Sequence, residues 1–476
     1  NNMPEPIDLP SRPALQSASD YGLDELIYMP NGEEDDQANV TLGKTVFQVD
    51  IFENIERPFL SGSITLRDDG RLYDQYFDIK GTERLKIVFS NKDHTNFIKK
   101  RFVIRRVQSA TKTNETTEVI ILNIIDETYF IDTVSRFSKA YTGSPEDIIE
   151  KILKDNLNKN IIKVDDDDKS TQEAMRVVIP YLTPIQAAKW VTQRATTGFG
   201  FPYYLYATLF DEDITLKSME KMFKEPVWNP EITFKFSQAA NSQETSLISD
   251  TNLFNIQEFK QTSNEDTLHL MERGAVGCSY NVFDATTGTV EPFRFDVNEF
   301  FNDVVLANNL LGDDTLQMTS VMDDESIFDG VGKLSEADGQ SYDRIVANNT
   351  YSDMPNYYGG GAYSLDATAK ALRNIVGKSS SVIRVGGAIF FAGEENRTIG
   401  TKIDVYFPNN DPEGVISGQT KDLKRSGEYV IHSCRHIFSD ERHVIDAQLM
   451  KLGKHGISFL DKWVQLVRWC CCGKGK

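Results

Sequence analysis

The chain has 476 residues, with 51 Lys and Arg against 71 Asp and Glu, a formal net charge of −20. That balance excludes a basic nucleic-acid binder or a protein held electrostatically on an anionic membrane. With 40% hydrophobic and 26% charged residues the composition is globular rather than disordered.

The length leaves room for roughly three domains of about 150 residues. No apolar run reaches the ~18 residues that a bilayer-spanning helix needs, so membrane insertion is not expected. Asn1-Asn2-Met3-Pro4-Glu5-Pro6 has neither the basic nor the apolar part of a signal peptide. Five cysteines, three of them consecutive at Cys470, Cys471 and Cys472, do not make a disulfide framework and fit a reducing compartment.

The negative charge is concentrated. Residues 1–40 carry nine acidic side chains against Arg12, and residues 296–353 carry thirteen against Lys333 and Arg344. The first stretch reads as a mobile acidic arm, assigned to 1–35. The second reads as an acidic insertion, assigned to 296–377, with short ordered pieces.

From 36 to 127 the signal is strand-like. Val46–Phe52, Gly62–Leu66, Leu85–Phe89, Phe102–Ile104 and Val119–Leu122 are β-branched or aromatic runs broken by turn residues. This spacing predicts a first small β-barrel. A small α+β domain is expected over 128–230. There Ser144-Pro145-Glu146-Asp147 and Thr183-Pro184-Ile185-Gln186 both have the side-chain cap and early proline that start helices. Strand character returns after 231, at Ile232–Phe236, Phe254–Phe259, Ile389–Phe391, Ile403–Phe407, Tyr429–Ile431 and Val444–Ala447. Residues 231–295 and 378–453 are therefore assigned to a second β-barrel, and 454–476 to a C-terminal helix and Cys-rich tail. The fold class is α+β, mainly β.

The two strand-rich regions repeat each other. Leu85, Ile87 and Phe89 after Gly81-Thr82 answer Ile403, Val405 and Phe407 after Gly400-Thr401. Phe102-Val103-Ile104 matches Tyr429-Val430-Ile431, and Val119-Ile120 matches Val444-Ile445. The matches keep their order, which points to two copies of one β domain flanking a helical insert.

Several of these stretches, with Val134–Gly143, Ile179–Ala188, Ser426–Ile431 and Arg435–Phe438, resemble the baseplate hub protein of contractile-tailed bacteriophages, a family shared with the hub part of type VI secretion spike proteins. The resemblance covers about 36–230 and 378–453. It implies a non-enzymatic homotrimer in which each chain gives two tube-like β-barrels. Three chains then make a ring of pseudo-six-fold symmetry, which joins the six-fold tail tube to a separate trimeric central spike. The channel lets genome DNA pass without specific binding. The implied setting is the virion tail baseplate, assembled in the host bacterial cytoplasm, with tape measure and baseplate wedge proteins as further partners. Related readings are the hub of a type VI-like or phage-derived injection machine and, from another class, a cell-wall-active enzyme with β-barrel binding modules.

The residues themselves yield no catalytic, cofactor or metal assignment. His432, Cys434 and His436 alternate on a predicted strand with His443 nearby, but side chains spaced along one strand diverge, so they read as a barrel face. Cys470–Cys472 lack the spacers of a zinc site, and the apolar helix expected before them, Ile457–Trp469, reads as a packing element. Val376-Gly377-Lys378-Ser379 echoes a phosphate loop, but Leu372 stands where the first glycine is needed. Asp165–Asp168 and Asp323-Asp324-Glu325 lack the glycine and closing glutamate of a calcium loop. Lys99-Lys100-Arg101 with Arg105-Arg106 form a basic cluster suited to an acidic neighbour or to solvent.

Overall fold

A computed structural model describes residues 21–69, most of 71–228 (outside 72, 75–76, 78–79, 82, 92–96, 163–169 and 171–174) and parts of the remainder. Those parts are 233–236, 254–261, 277–284, 288–296, 316–318, 340–346, 368–374, 381–387, 398–409, 421–422, 425–439, 442–451 and 453–455. Asp165–Asp168, Asp323–Glu325, Val376–Ser379, Ile457–Trp469 and Cys470–Cys472 lie outside the described residues.

Among the described residues the chain is mainly β, and the largest unit there is one sheet of fourteen strands. In the first half, Val46–Asn54 pairs with Ser61–Asp68, which pairs with Glu118–Asp126. That strand pairs with Phe97–Lys112, which pairs with Arg84–Asn91, and there Tyr21–Met29 adds on. Tyr21–Met29 then meets Val40–Thr41, a few residues ahead of the starting strand. In the second half the same order runs through Glu258–Gln261, Ser381–Gly386, Arg442–Met450, Gly427–Ser439, Lys402–Tyr406 and Thr233–Phe236. It comes back to Asn255–Ile256, just ahead of its own start. In neither half is the hydrogen-bonded ladder itself closed among the described residues.

The repeat read from the sequence is visible in the register. Arg84 pairs with Val103 as Lys402 pairs with Val430, and Ile104 pairs with Ile124 as Ile431 pairs with Leu449. Both long strands carry a β-bulge at the same place, between Ile104 and Arg106 and between Ile431 and Ser433. Gly81 and Gly400, which lead into equivalent strands, both have positive φ, at 98° and 72°.

Two sequence expectations are corrected. Tyr21–Met29, counted with the acidic arm, is a sheet strand whose Leu26, Tyr28 and Met29 are fully buried. Its acidic surroundings mask an alternating apolar pattern too short to stand out. Glu34, from the same arm, lies 3.0 Å from Lys86 Nζ, and this lysine holds its carboxyl below the usual range. Second, Gly277–Asp284 and Thr289–Asp296, assigned to the second barrel, form a separate three-stranded sheet with Gln340–Val346 from the acidic stretch. Period-two patterning marks a strand without saying which strand it joins.

The helical insert follows the sequence closely. Ser144 accepts from the Asp147 amide at 3.2 Å and caps Pro145–Leu157. Thr183 and Gln186 form a capping box at the head of Pro184–Thr192. Their apolar faces bury Ile148, Ile152, Ile185, Ala188 and Val191 in a core shared with Leu205 and Leu216. Two short helices carry no such strong signal: Glu127–Val134, capped by Asp126, and Met219–Lys224, capped by Ser218.

Candidate functional site: the seam between the two halves

The halves meet on one strand. Gly427–Ser439 pairs with Lys402–Val405 along its first part and with Val49–Asn54 along its second. The bulge at His432 makes this possible, because the extra residue twists the strand and re-aims its second half. It also breaks the alternation expected from the sequence. His432 leaves the ladder, its carbonyl accepting from the Ile55 amide at 3.1 Å, while Cys434, His436 and Phe438 turn inward. His432 therefore does not join the other two on one regular face.

Inside the seam, His436 and His443 lie with Nδ1 and Nε2 3.1 Å apart, and His436 Nε2 is 3.3 Å from Glu53 Oε2. The side chains of Glu53 and His436 have no exposure at all, and His443 is equally buried. The Leu209 amide, from the insert, donates to the other Glu53 oxygen. Burial alone would raise the Glu53 carboxyl, but His436, Thr398 and the Leu209 amide hold it below its ordinary value. Burial, with His436 beside it, pushes His443 well below 6.5. Burial likewise pushes the Cys434 thiol well above its ordinary value, with Glu53 and Asp446 adding to the effect. The arrangement is an ionised carboxylate against a histidine, with a neutral His443 behind.

His443 packs so closely that Gly387 is fixed by it: a Cβ there would lie 2.3 Å from the ring. Phe438 stacks at 4.2 Å on His443 and at 3.9 Å on Phe89 of the first half, joining the first-half core.

The opposite face carries a polar ladder across both halves. Asp50 accepts from Gln48 at 2.9 Å, from Ser63 at 3.3 Å and from Arg435 at 3.2 Å. Arg435 is the register partner of Asp446. Arg384 grips Asp446 with two bonds of 2.6 and 3.0 Å and meets Glu258 at 2.8 Å. Charges of alternating sign therefore run from strand to strand over the join.

The other sequence candidates fall elsewhere. Lys100 is half-buried and donates to the Asp211 carbonyl, and desolvation lowers its pKa. Arg101 bonds the Gly32 carbonyl at 2.8 Å and meets Glu127 at 3.3 Å. Those two members of the basic cluster thus have partners within the chain, Arg101 while exposed, and Lys99, Arg105 and Arg106 are exposed as well. Among the described residues no group of three His, Cys, Asp or Glu is placed to hold a metal ion. A cavity of about 130 Å3, lined by Glu56, Lys189, Tyr204 and Arg373, lies at the insert and does not include the buried histidines. The seam's own chemistry is that of a charged join. Sequence reading missed it because Glu53 and His436 are hundreds of residues apart; the one available signal was a lone acidic residue among inward-facing apolar ones.

Because the folded values of Glu53 and His443 are both depressed, their stabilising contribution is present above the unfolded values and fades as pH falls. Loss begins below about 6.5, where unfolded histidine protonates, and deepens below about 4.5, where unfolded glutamate does. His443→Phe, which keeps the ring against Phe438, is expected to flatten the fall in denaturant midpoint between pH 7 and pH 5; an unchanged slope would refute the role given to His443.

No protein-family model matches this chain, and no curated protein does. Solved structures do. The tail protein from Neisseria meningitidis MC58 is similar with a TM-score of 0.52 at 11% identity, over 90% of this chain and 96% of that one. The 43 kDa tail protein of prophage MuSo2 from Shewanella oneidensis is similar with a TM-score of 0.50 at 11% identity, over 90% and 98%. The chain has the fold of these phage tail proteins, in keeping with its sequence resemblance to the baseplate hub family.

Proposed function

We propose that this protein is the hub of a phage tail baseplate: a homotrimer joining the six-fold tail tube to the three-fold central spike around a channel for the genome. The observation that carries this reading is the repeat of five antiparallel strands in the same order in both halves, set side by side by the pairing of Val49–Asn54 with 433–438. A chain holding two equivalent β units is the economical way to offer six units from three copies. Each unit is taken to be one tube-like barrel, built on 36–127 with the strand 21–29 and on the sheet strands of 231–261 and 378–453. The α+β insert, the acidic insertion and the C-terminal tail decorate that frame.

The tube protein and the spike are the expected partners on opposite rims, with tape measure and baseplate wedge proteins beyond them. We assign the polar ladder of Asp50, Arg435, Asp446, Arg384 and Glu258 to the channel wall. Its alternating signs leave little net field to retain DNA. The working location is the virion tail. Sedimentation of the full chain tests the core of this reading: a particle of about 160 kDa, three times 53.8 kDa, is expected. A folded species of 53.8 kDa at tens of micromolar would overturn it.

A further inference from the structure

The cavity of about 130 Å3 at the insert carries an excess of positive charge. Three parts of the chain build it. Ile55 and Glu56 follow the first-half strand Val46–Asn54, Lys189 stands in the last turn of Pro184–Thr192, and Tyr204 and Leu205 belong to an insert strand. Arg373 closes it from the short helical stretch 368–374, which is anchored by the buried Ala369, Ala371 and Leu372. The Arg373 guanidinium is held in place. Its Nη2 donates to the Tyr203 carbonyl at 3.0 Å, and its carbon lies 5.6 Å from the centre of the Tyr204 ring. Its Nε is buried with no hydrogen-bond partner, and among the described residues no carboxylate pairs with the group. Lys189 is half-buried, and among the described residues its ammonium makes neither a hydrogen bond nor an ion pair. Burial lowers its pKa; Glu56 opposes this, while Arg57 and Arg373 add to it.

We infer that this cavity binds a carboxylate on a short stem, with Arg373 and Lys189 as its two cationic contacts. The charge balance selects the class. Two cations face the single carboxylate of Glu56, which is exposed and therefore screened by solvent. The excess is met by one negative charge, which a carboxylate supplies and a phosphate dianion exceeds. A planar guanidinium also matches the two oxygens of a carboxylate. The walls agree with a short stem. Ile55, Tyr204 and Leu205 offer apolar contact, and at roughly 30 Å3 per water the space equals about four waters, enough for an acid of propionate size. The same chemistry comes from a free small acid or from the side chain of an Asp or Glu. A bound carboxylate would tie the first half, the insert and the return from the acidic stretch together. The inference is independent of the hub reading.

Titration of propionate into the full chain, followed by ligand-observed NMR at fixed chloride, tests it. Saturable binding is expected with a dissociation constant on the order of 1 mM, and several-fold weaker binding of inorganic phosphate. Lys189→Gln and Arg373→Gln are each expected to weaken propionate about tenfold or more, the usual worth of a charge-assisted hydrogen bond. Glu56→Gln is expected to tighten it several-fold, because it removes the like charge at the cavity. Lys189 and Glu56 are half-buried and exposed, so their variants carry the test even if Arg373→Gln does not fold. N-acetylglutamate amide separates the two sources. Binding with a similar constant supports capture of a side chain, and its exclusion while propionate binds supports a free acid. A folded chain without saturable propionate binding overturns the inference, as does native binding in folded Lys189→Gln or tighter binding of phosphate than of propionate. None of these failures touches the hub reading.

Discussion

Glu53→Ala is expected to destabilise the fold by about 3–5 kcal/mol, the cost typical of leaving a buried ionic partner uncompensated. Glu53 is wholly buried, its carboxylate faces His436 at 3.3 Å, and it accepts the Leu209 amide. Truncation strands an imidazole and a backbone N–H together. It also cuts the tie between the insert and the seam, because Leu209 belongs to the segment that follows the strand Tyr203–Ala207. The effect of His436→Ala should be much smaller in the Glu53→Ala background than in the native chain, since the two share one network. Denaturant unfolding of the two single variants and the double variant measures this; additive losses, or a Glu53→Ala cost below about 1 kcal/mol, would contradict a coupled charged seam.

Phe438→Ala is the second large effect, about 3–5 kcal/mol for removing a buried aromatic from a close-packed core. Phe438 lies on the second-half strand yet packs on Phe89 of the first half at 3.9 Å, and it is 3% exposed. Its removal opens a cavity shared by both halves, so the loss should not stay on its own side. Hydrogen exchange is expected to quicken in the strands Val46–Asn54 and Arg84–Asn91 as well as in Gly427–Met450. Faster exchange confined to 427–450 would mean that the halves are stabilised separately. Phe438→Leu, which refills most of the volume, should recover much of the loss.

Much of the fold is legible in local pattern. The runs at Val46, Gly62, Leu85, Phe102 and Val119 are strands, and the caps at Ser144 and Thr183 open helices where their residue types require. Even the pairing register of the repeat follows from matching Leu85 with Ile403 and Val103 with Val430, because period-two alternation fixes which residues face a core. The acidic arm illustrates the opposite case. Charge counting assigned Tyr21–Met29 to solvent, but Leu26 and Tyr28 are buried by a strand more than fifty residues away, and composition carries no record of that contact.

Periodicity and helix caps act over a few residues, so they already mark a mainly β chain with two matching strand-rich regions around a helical insert. How those regions join depends on long-range packing. The bulge at His432 turns one strand from its own sheet toward Val49–Asn54, and the join brings Glu53, His436 and His443 into a single buried network. Neither the −20 total nor its concentration in two acidic stretches foretold a charged core, because a buried pair contributes nothing distinctive to a charge count. Its energy comes from desolvation and distance, which exist only once strands hundreds of residues apart have paired.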